Sequence, residues 1–365
     1  MVINVTKTFL PPLDQYVKYL QGIWERGHLT NHGPLVNELE VKLKDFLGVK
    51  HLFYVNNGTT ALQIAIKALD AKDEIITTPF SYVATTSSIV WENATPIFVD
   101  IDDTTFSINT NLIESAITSR TTAILATHVY GLPCNVEAIG SIAEKYKIKI
   151  IYDAAHAFGV KYKGQSILNF GNISTLSFHA TKLFHTIEGG AIVTDDDDLA
   201  HRISYMRNFG HKGQEEFWGL GINGKSSEVH AAMGLCLLPS MKDIIEARKQ
   251  SHKIYSSLLK GLALQIVKAP IDTEWNFSYF PVVFDSEKTL LAIRDSLNSL
   301  FIYPRRYFYP SLSSLNYVKS GLTPVADQVS SRVLCLPLYF DLQVDDIRRI
   351  CETIKDIIKY SKIKS

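Results

Sequence analysis

Cysteine is sparse in this chain. Of 365 residues four are cysteines, Cys134, Cys236, Cys335 and Cys351, far apart and with no CxxC pair. That spacing argues against a paired-thiol motif and suits free, buried thiols in a reducing cytosol. Neither sign of charge is in excess, since 37 Lys and Arg meet 37 Asp and Glu. No basic field is on hand for nucleic acid or an anionic membrane, so neither is an expected partner. Long hydrophobic runs are missing; none approaches the roughly 18–20 residues that span a bilayer. Residues 1–15 hold no basic segment followed by an apolar one. No secretory signal is therefore expected, and the expected location is cytoplasmic. Internal repeats and low-complexity tracts are absent too.

What is present is the composition of an ordinary globular chain, long enough for a large core and two lobes. Helices are expected at Pro12–Trp24 and Leu35–Leu47. Strand-like stretches follow at His51–Val55, Glu74–Thr78, Pro96–Val99, Thr122–Thr127 and Lys149–Asp153. Helical spacing fills the gaps, at Thr59–Leu69, Tyr82–Trp91, Asn111–Ile117 and Val136–Tyr146. This alternation predicts an α/β fold with a mainly parallel sheet covered on both faces, which gathers ligands at the carboxyl ends of its strands. The rhythm changes after Asp195. Helices Leu199–Phe209, Ser227–Leu237 and Met241–Leu262 come first. A strand at Phe277–Phe284, a helix near Lys288–Leu297, a strand at Arg332–Leu336 and a helix from Val344 come next. The spacing predicts a large domain over 1–245 and a smaller C-terminal α+β domain over 246–365.

The chemistry gathers in Ser174–Gly190, which holds one lysine, Lys182, among apolar neighbours. Upstream, Lys149–Asp153 reads as a buried strand that ends in a carboxylate, with His156 three residues on. Lysines usually stay in water, and a strand-end Asp commonly caps a turn; residue types alone leave both readings open. The apolar flanks favour a drier lysine, whose lowered pKa frees the amine to attack an aldehyde. An amine and an acid are the pair that pyridoxal phosphate needs, the acid holding the pyridine nitrogen protonated. His156 braces Asp153, approaches the ring, or is a core histidine. Asn57-Gly58-Thr59-Thr60 follows a strand and opens a helix. Such N–H groups with a permissive glycine cradle a phosphate, although the same letters make a generic cap. Ser177 can add a hydroxyl there. Tyr82 stacks on a flat ring or packs in the core.

Three patterns are set aside. Gly219–Ser226 fits the phosphate-loop pattern GxxxxGKS, but the preceding Gly210–Trp218 is no buried strand, and the pattern has meaning only between a strand and a helix. Asp195–Asp198 reads as a solvated turn and helix start. His179 and His185 have no third ligand nearby, so no metal is expected.

Taken together the motifs resemble one family. Ser-Phe-His-Ala-Thr-Lys-Leu-Phe over 177–184, with Glu188-Gly189-Gly190, is similar to the cofactor-lysine motif of the DegT/DnrJ/EryC1/StrS sugar aminotransferases. Tyr152–Ala157, Asn57–Leu62, Gly221–Glu228 and Leu29–Pro34 match in family order. The resemblance implies an aspartate-aminotransferase-like chain of fold type I: a mixed, mainly parallel seven-stranded sheet plus the small domain. It implies a homodimer with active sites at the interface. By motif match Lys182 would bond pyridoxal 5′-phosphate, Asp153 would pair with its ring nitrogen and Tyr82 would stack on the ring. Thr59, Thr60 and Ser177 would hold the phosphate, and Asn223 would reach it from the other subunit. Pyridoxamine phosphate would be the aminated form. Dehydratase relatives have His where Lys182 stands, so amino transfer is expected. L-Glutamate would be the donor and a nucleotide-linked keto-deoxy sugar the acceptor. The Arg305–Pro310 loop and the Gly-Ile-Asn-Gly-Lys block look like the branch that makes dTDP-4-amino-4,6-dideoxyglucose from dTDP-4-keto-6-deoxyglucose, for O-antigen or another surface glycan. Amination at C3, a GDP- or UDP-linked acceptor, and a non-catalytic binder of the same fold are the alternatives. Thr30, Asn31, Arg305, Arg306 and Tyr309 are the candidates for the nucleotide-sugar. Two positions depart from the family: Thr60, where Ala is commoner, and Ser226, where Met is commoner.

Overall fold

Strands that read as unbroken apolar runs must be covered on both faces, and the computed structural model, which describes residues 2–319 and 321–363, is built on seven of them. They are β1 His51–Val55, β2 Glu74–Thr77, β3 Thr95–Phe98, β4 Thr121–Thr127, β5 Lys149–Asp153, β6 Ile173–Ser177 and β7 Gly190–Thr194. Their order across the sheet is β1-β7-β6-β5-β4-β2-β3. All neighbours pair in parallel except those of β7, which runs antiparallel to both β6 and β1.

Because side chains alternate along a strand, each strand feeds two cores. Ile75, Leu125, Ile151 and Ile192 pack on one face, with helices α3 (Gly58–Ala68) and α4 (Val83–Trp91) nearby. Ile76, Ile124, Tyr152 and Val193 pack on the other, against α2 (Pro34–Leu47). A separate cluster holds Tyr255, Phe280, Val282, Leu334, Ile347 and Ile350. It lies on a three-stranded sheet of β8 Leu264–Ile266, β9 Phe280–Phe284 and β10 Val333–Leu336. Ile3 belongs to this cluster, and Ile3–Asn4 pairs with Ile302–Tyr303. The last two residues of the expected second domain lie outside the described residues.

Two buried carboxylates tie distant segments together at helix N-termini, where free N–H groups favour an anion. Glu228 accepts from Leu35 N–H at 3.0 Å and Val36 N–H at 2.9 Å, in the first turn of α2. A Cβ on Gly33 would stand 2.4 Å from the Glu228 Cδ, so a side chain there displaces the carboxylate. Asp100 accepts from Val325 N–H and Ala326 N–H, both at 2.8 Å, at the start of the helix Pro324–Arg332.

Several expected elements are shorter in the structure, three of them for visible reasons. The strand expected from Phe277 starts at Phe280, because Phe277 is left-handed (φ 52°) and the Asn276 side chain accepts the Ser278 N–H at 3.1 Å. The long helix stops at Leu258 before a turn through Gly261, whose φ is +81°. The helix at 199–209 spans Asp197–Met206, and Asp196 caps it through Leu199 N–H at 2.9 Å. The helix Pro324–Arg332 was not expected from the sequence. No helix among the described residues is long and apolar enough to cross a membrane.

Candidate active site

The carboxyl ends of β1, β4, β5 and β6 surround one cavity of about 340 Å³. At the end of β1, Asn57 caps α3 by accepting the Thr60 N–H at 2.8 Å. Gly58 and Thr59 line the cavity, and their N–H groups, in the first turn, have no acceptor within the helix. Gly58 makes a close approach, since a Cβ there would stand 3.0 Å from the Ser177 Cβ at the end of β6, which would have to give by a few tenths of an ångström. Gly190 is required more strictly, because what it meets is backbone. A Cβ on it would lie 2.6 Å from the Asn57 carbonyl and 2.8 Å from the Gly58 nitrogen.

The Lys182 loop is tied down by hydrogen bonds and ring contacts. Phe178 N–H donates to Gly189 O at 2.8 Å and Thr186 N–H to Phe178 O at 2.9 Å. Phe158 stacks on Phe184 at 4.6 Å, and Phe178 meets Phe184 edge-on at 4.9 Å. The N-terminal arm straps the loop from outside, with Thr8 on Ala180 O and Phe9 O on the His185 ring. Lys182 is half-buried, and its amine makes no hydrogen bond or ion pair with any described residue. Burial lowers its pKa to about 8, while the nearby Asp153 pulls the other way.

Asp153 lines the same cavity, buried at the end of β5. Burial raises its pKa; the Thr85 hydroxyl, the Ala155 N–H and Lys182 oppose that. The Thr85 hydroxyl donates to Oδ2 at 2.7 Å, and the Ala155 N–H to Oδ1 at 3.1 Å. His156 is held neutral, its pKa pushed well down by burial and then by Lys182. Its Nδ1 accepts the Tyr130 N–H at 3.2 Å, which leaves the proton on Nε2. Its ring lies parallel to Phe308 at 5.7 Å.

Of the sequence candidates, Lys182, Asp153, His156, Tyr82, Gly58, Thr59, Ser177 and Arg305 line the cavity. Tyr82 is 59% exposed at the head of α4. Thr60 does not line it; its side chain is buried toward Gly224. Asn223 is not part of its own chain's cavity. Its Oδ1 accepts from Lys225 at 2.9 Å, and its carbonyl from Asn56 at 3.2 Å. Thr30 and Asn31 sit on an exposed turn away from it. Arg306 is bound elsewhere, to Glu287 at 2.7 Å and Ser331 O at 2.9 Å, with its guanidinium over Tyr309. Sequence reasoning missed Ser81, Thr85, Thr127, Tyr279 and Tyr307. Thr85 alone left a signal, one helical turn from Tyr82. The false phosphate loop is preceded by an exposed hairpin, His211–Lys212 with Glu216–Phe217, and not by a core strand.

A phosphorylated pyridine aldehyde fits these residues: an unpartnered amine, a buried acid, a helix N-terminus with a hydroxyl beside it, and an aromatic wall. No group of three or more His, Cys, Asp or Glu among the described residues is arranged to hold a metal. A wider groove of about 920 Å³, beside the helix Met241–Leu258, shares no residue with this cavity. Chemistry, not size, decides between the two.

Comparison with known proteins converges on one group. The model of the DegT/DnrJ/EryC1/StrS aminotransferase family matches residues 14–355. A Shigella dysenteriae protein named dTDP-4-amino-4,6-dideoxy-D-glucose transaminase is 43% identical, covering 97% of this chain and 99% of its own. The UDP-N-acetyl-3-dehydro-alpha-D-glucosamine 3-aminotransferase of Acidithiobacillus ferrooxidans is 32% identical over 97% of this chain and 96% of its own. Among solved structures, DesI in the presence of its TDP-sugar product superposes with a TM-score of 0.94. It is 29% identical, over 100% of this chain and 95% of that one.

Proposed function

The chain belongs to the DegT/DnrJ/EryC1/StrS aminotransferase family, and from that premise we propose that it moves an amino group from L-glutamate to C4 of dTDP-4-keto-6-deoxy-D-glucose. The products are 2-oxoglutarate and dTDP-4-amino-4,6-dideoxy-D-glucose, a building block for O-antigen or another surface glycan. Its cofactor is pyridoxal 5′-phosphate. The observation that carries the reading is that Lys182 and Asp153, distant in sequence, line one cavity. The choice of sugar is supported by the two relatives of that name, 43% and 41% identical, against 32% for the C3-aminating relative.

The bound cofactor supplies an electron sink for a developing carbanion. This chain's residues do the rest. Lys182 would hold the aldehyde, and its Nζ, once free, would take the proton from the glutamate Cα and in the second half of the reaction return one to the sugar carbon. The ionised carboxylate of Asp153 would keep a positive charge on the ring nitrogen, which stabilises charge where it develops. Gly58, Thr59 and Ser177 hold the phosphate. Arg305 lines the mouth and takes an anionic group of the donor or of the nucleotide.

We also propose a homodimer that completes each site with Asn223 of the other copy. Two features support it: Asn223 lies outside its own cavity, and beside it Phe217, Trp218 and Leu220 are 64%, 52% and 67% exposed. The division near residue 245 is supported by the separate cluster around Phe280. A cytoplasmic location is supported by four free, buried cysteines. Mass spectrometry of products from dTDP-, UDP- and GDP-linked 4-keto and 3-keto sugars with glutamate tests the reading. Conversion confined to the dTDP-4-keto sugar is the expected result. Conversion only of a 3-keto or UDP-linked sugar overturns the substrate, and failure of glutamate to aminate the bound cofactor overturns the enzyme.

A further inference from the structure

Asp153 is the end of a chain of hydroxyls. Thr85 Oγ1 lies 2.7 Å from the Asp153 Oδ2. Ser81 Oγ lies 2.7 Å from Thr85 Oγ1 and 3.0 Å from Thr127 Oγ1. All four side chains are buried. They come from three places that the sheet brings together. Thr127 is paired with Asp153 in the β4–β5 register, Ser81 is in the turn after β2, and Thr85 is in the first turn of α4.

A hydroxyl has one proton to give. When Asp153 is ionised, Thr85 gives its proton to the carboxylate. Ser81 must then donate to Thr85, and Thr127 to Ser81. Every proton has an acceptor, and bonds aligned head to tail polarise one another. When Asp153 is protonated and donates to Thr85, the chain reverses. The Thr127 proton is then left with no acceptor among its hydrogen-bond partners, a costly state for a buried donor. The other groups facing Asp153 are Lys182, the neutral His156 and the buried Cys134 thiol, with the His128 N–H on its main-chain oxygen at 3.0 Å. None of these is a fixed cation, so the Thr85 hydroxyl on Oδ2, together with the Ala155 N–H on Oδ1, is the standing counterweight to burial.

We propose that Thr85, Ser81 and Thr127 are positioning residues that keep Asp153 ionised and fix its carboxylate for a protonated ring nitrogen. The proposal rests on the aminotransferase reading and deepens it.

The test is equilibrium dialysis of pyridoxal phosphate against apo-protein across pH, for the wild type, Thr85→Val, Thr85→Ser, Ser81→Ala and Thr127→Val. Thr85→Val keeps the shape and removes the donor. It is expected to weaken binding about tenfold or more, the usual scale for a hydrogen bond to a charged group. The acid limb of its affinity profile moves to higher pH, because Asp153 protonates sooner. Its kcat falls while KM for the keto-sugar holds. Thr85→Ser restores both affinity and limb, and Ser81→Ala and Thr127→Val shift the limb less, in the same direction. Wild-type affinity and an unmoved limb in Thr85→Val overturn the proposal. Should Thr85→Val not fold by circular dichroism, an unmoved limb in Ser81→Ala and Thr127→Val overturns it instead. A wild type that holds no pyridoxal phosphate brings down the aminotransferase reading itself, a result distinct from an unmoved limb.

Discussion

Lys182 and Asp153 oppose each other's burial: the carboxylate lifts the amine's pKa and the amine lowers that of the acid, yet burial wins at both. The net result for Lys182 is a pKa of about 8. Only the neutral amine attacks an aldehyde. Capture of pyridoxal phosphate by apo-protein, followed by absorbance, is therefore expected to quicken with pH and level off above about 8, well short of the ordinary lysine value of 10.5. The same sign governs stability. Between about pH 8 and 10.5 the unfolded chain binds the proton that the folded chain has released, so the contribution of Lys182 to apo-protein stability rises with pH across that window, read as the difference between the wild type and Lys182→Met.

Lys182→Ala should leave the fold intact by circular dichroism while turnover drops at least about a thousandfold, since both the covalent anchor and the proton carrier are lost. Asp153→Asn should keep Lys182 reactive toward the aldehyde but lower kcat by about a hundredfold or more, because a neutral amide cannot hold the ring nitrogen's charge. Steady-state kinetics against product mass separates the two.

Gly190→Ala places a methyl 2.6 Å from the Asn57 carbonyl. The cradle at Asn57-Gly58 must move off β7. Affinity for pyridoxal phosphate should fall by about tenfold or more, the scale of one lost charge-assisted hydrogen bond, with inorganic phosphate at millimolar levels giving less protection than in the wild type. Fluorescence titration of both proteins checks it.

If Asn223 serves the partner's site, Lys182→Ala and Asn223→Asp chains are each poor enzymes alone. Mixed after mild dissociation, they should recover about a quarter of wild-type activity, since half of random pairs are mixed and each has one whole site. A site built within one chain gives no recovery.

Glu228→Ala removes the acceptor of two N–H groups at the start of α2. A loss on the order of 2–3 kcal/mol is expected in urea denaturation. Gly33→Ala should cost a similar amount by pushing the same carboxylate aside.

Much of this was readable in the chain itself, for physical reasons. Lys149–Asp153 and Val136–Tyr146 are bounded as expected, because apolar runs between turn residues leave little choice of element. Asp153 stood out as a carboxylate ending an apolar strand, and Lys182 as the one lysine of Ser174–Gly190, flanked by apolar residues. The direction of β7 was hidden, since a strand buried on both faces has the same letters read either way. The hydroxyl chain was hidden because Ser81 and Thr127 meet only once β2 and β4 lie side by side. Thr60 and Arg306 carry the letters of ligands, but a helix face and an ion pair turn them away from the cavity.

Asp100 has a further bearing on how this chain can be recombined with its relatives. A chimera joined anywhere between residue 100 and Pro324 takes the acid from one parent and the helix start that it caps from the other. Such a graft keeps its clasp only where the first parent has a short acid at that place. Swapping the helix Pro324–Arg332 between relatives must therefore carry residue 100 along as passenger.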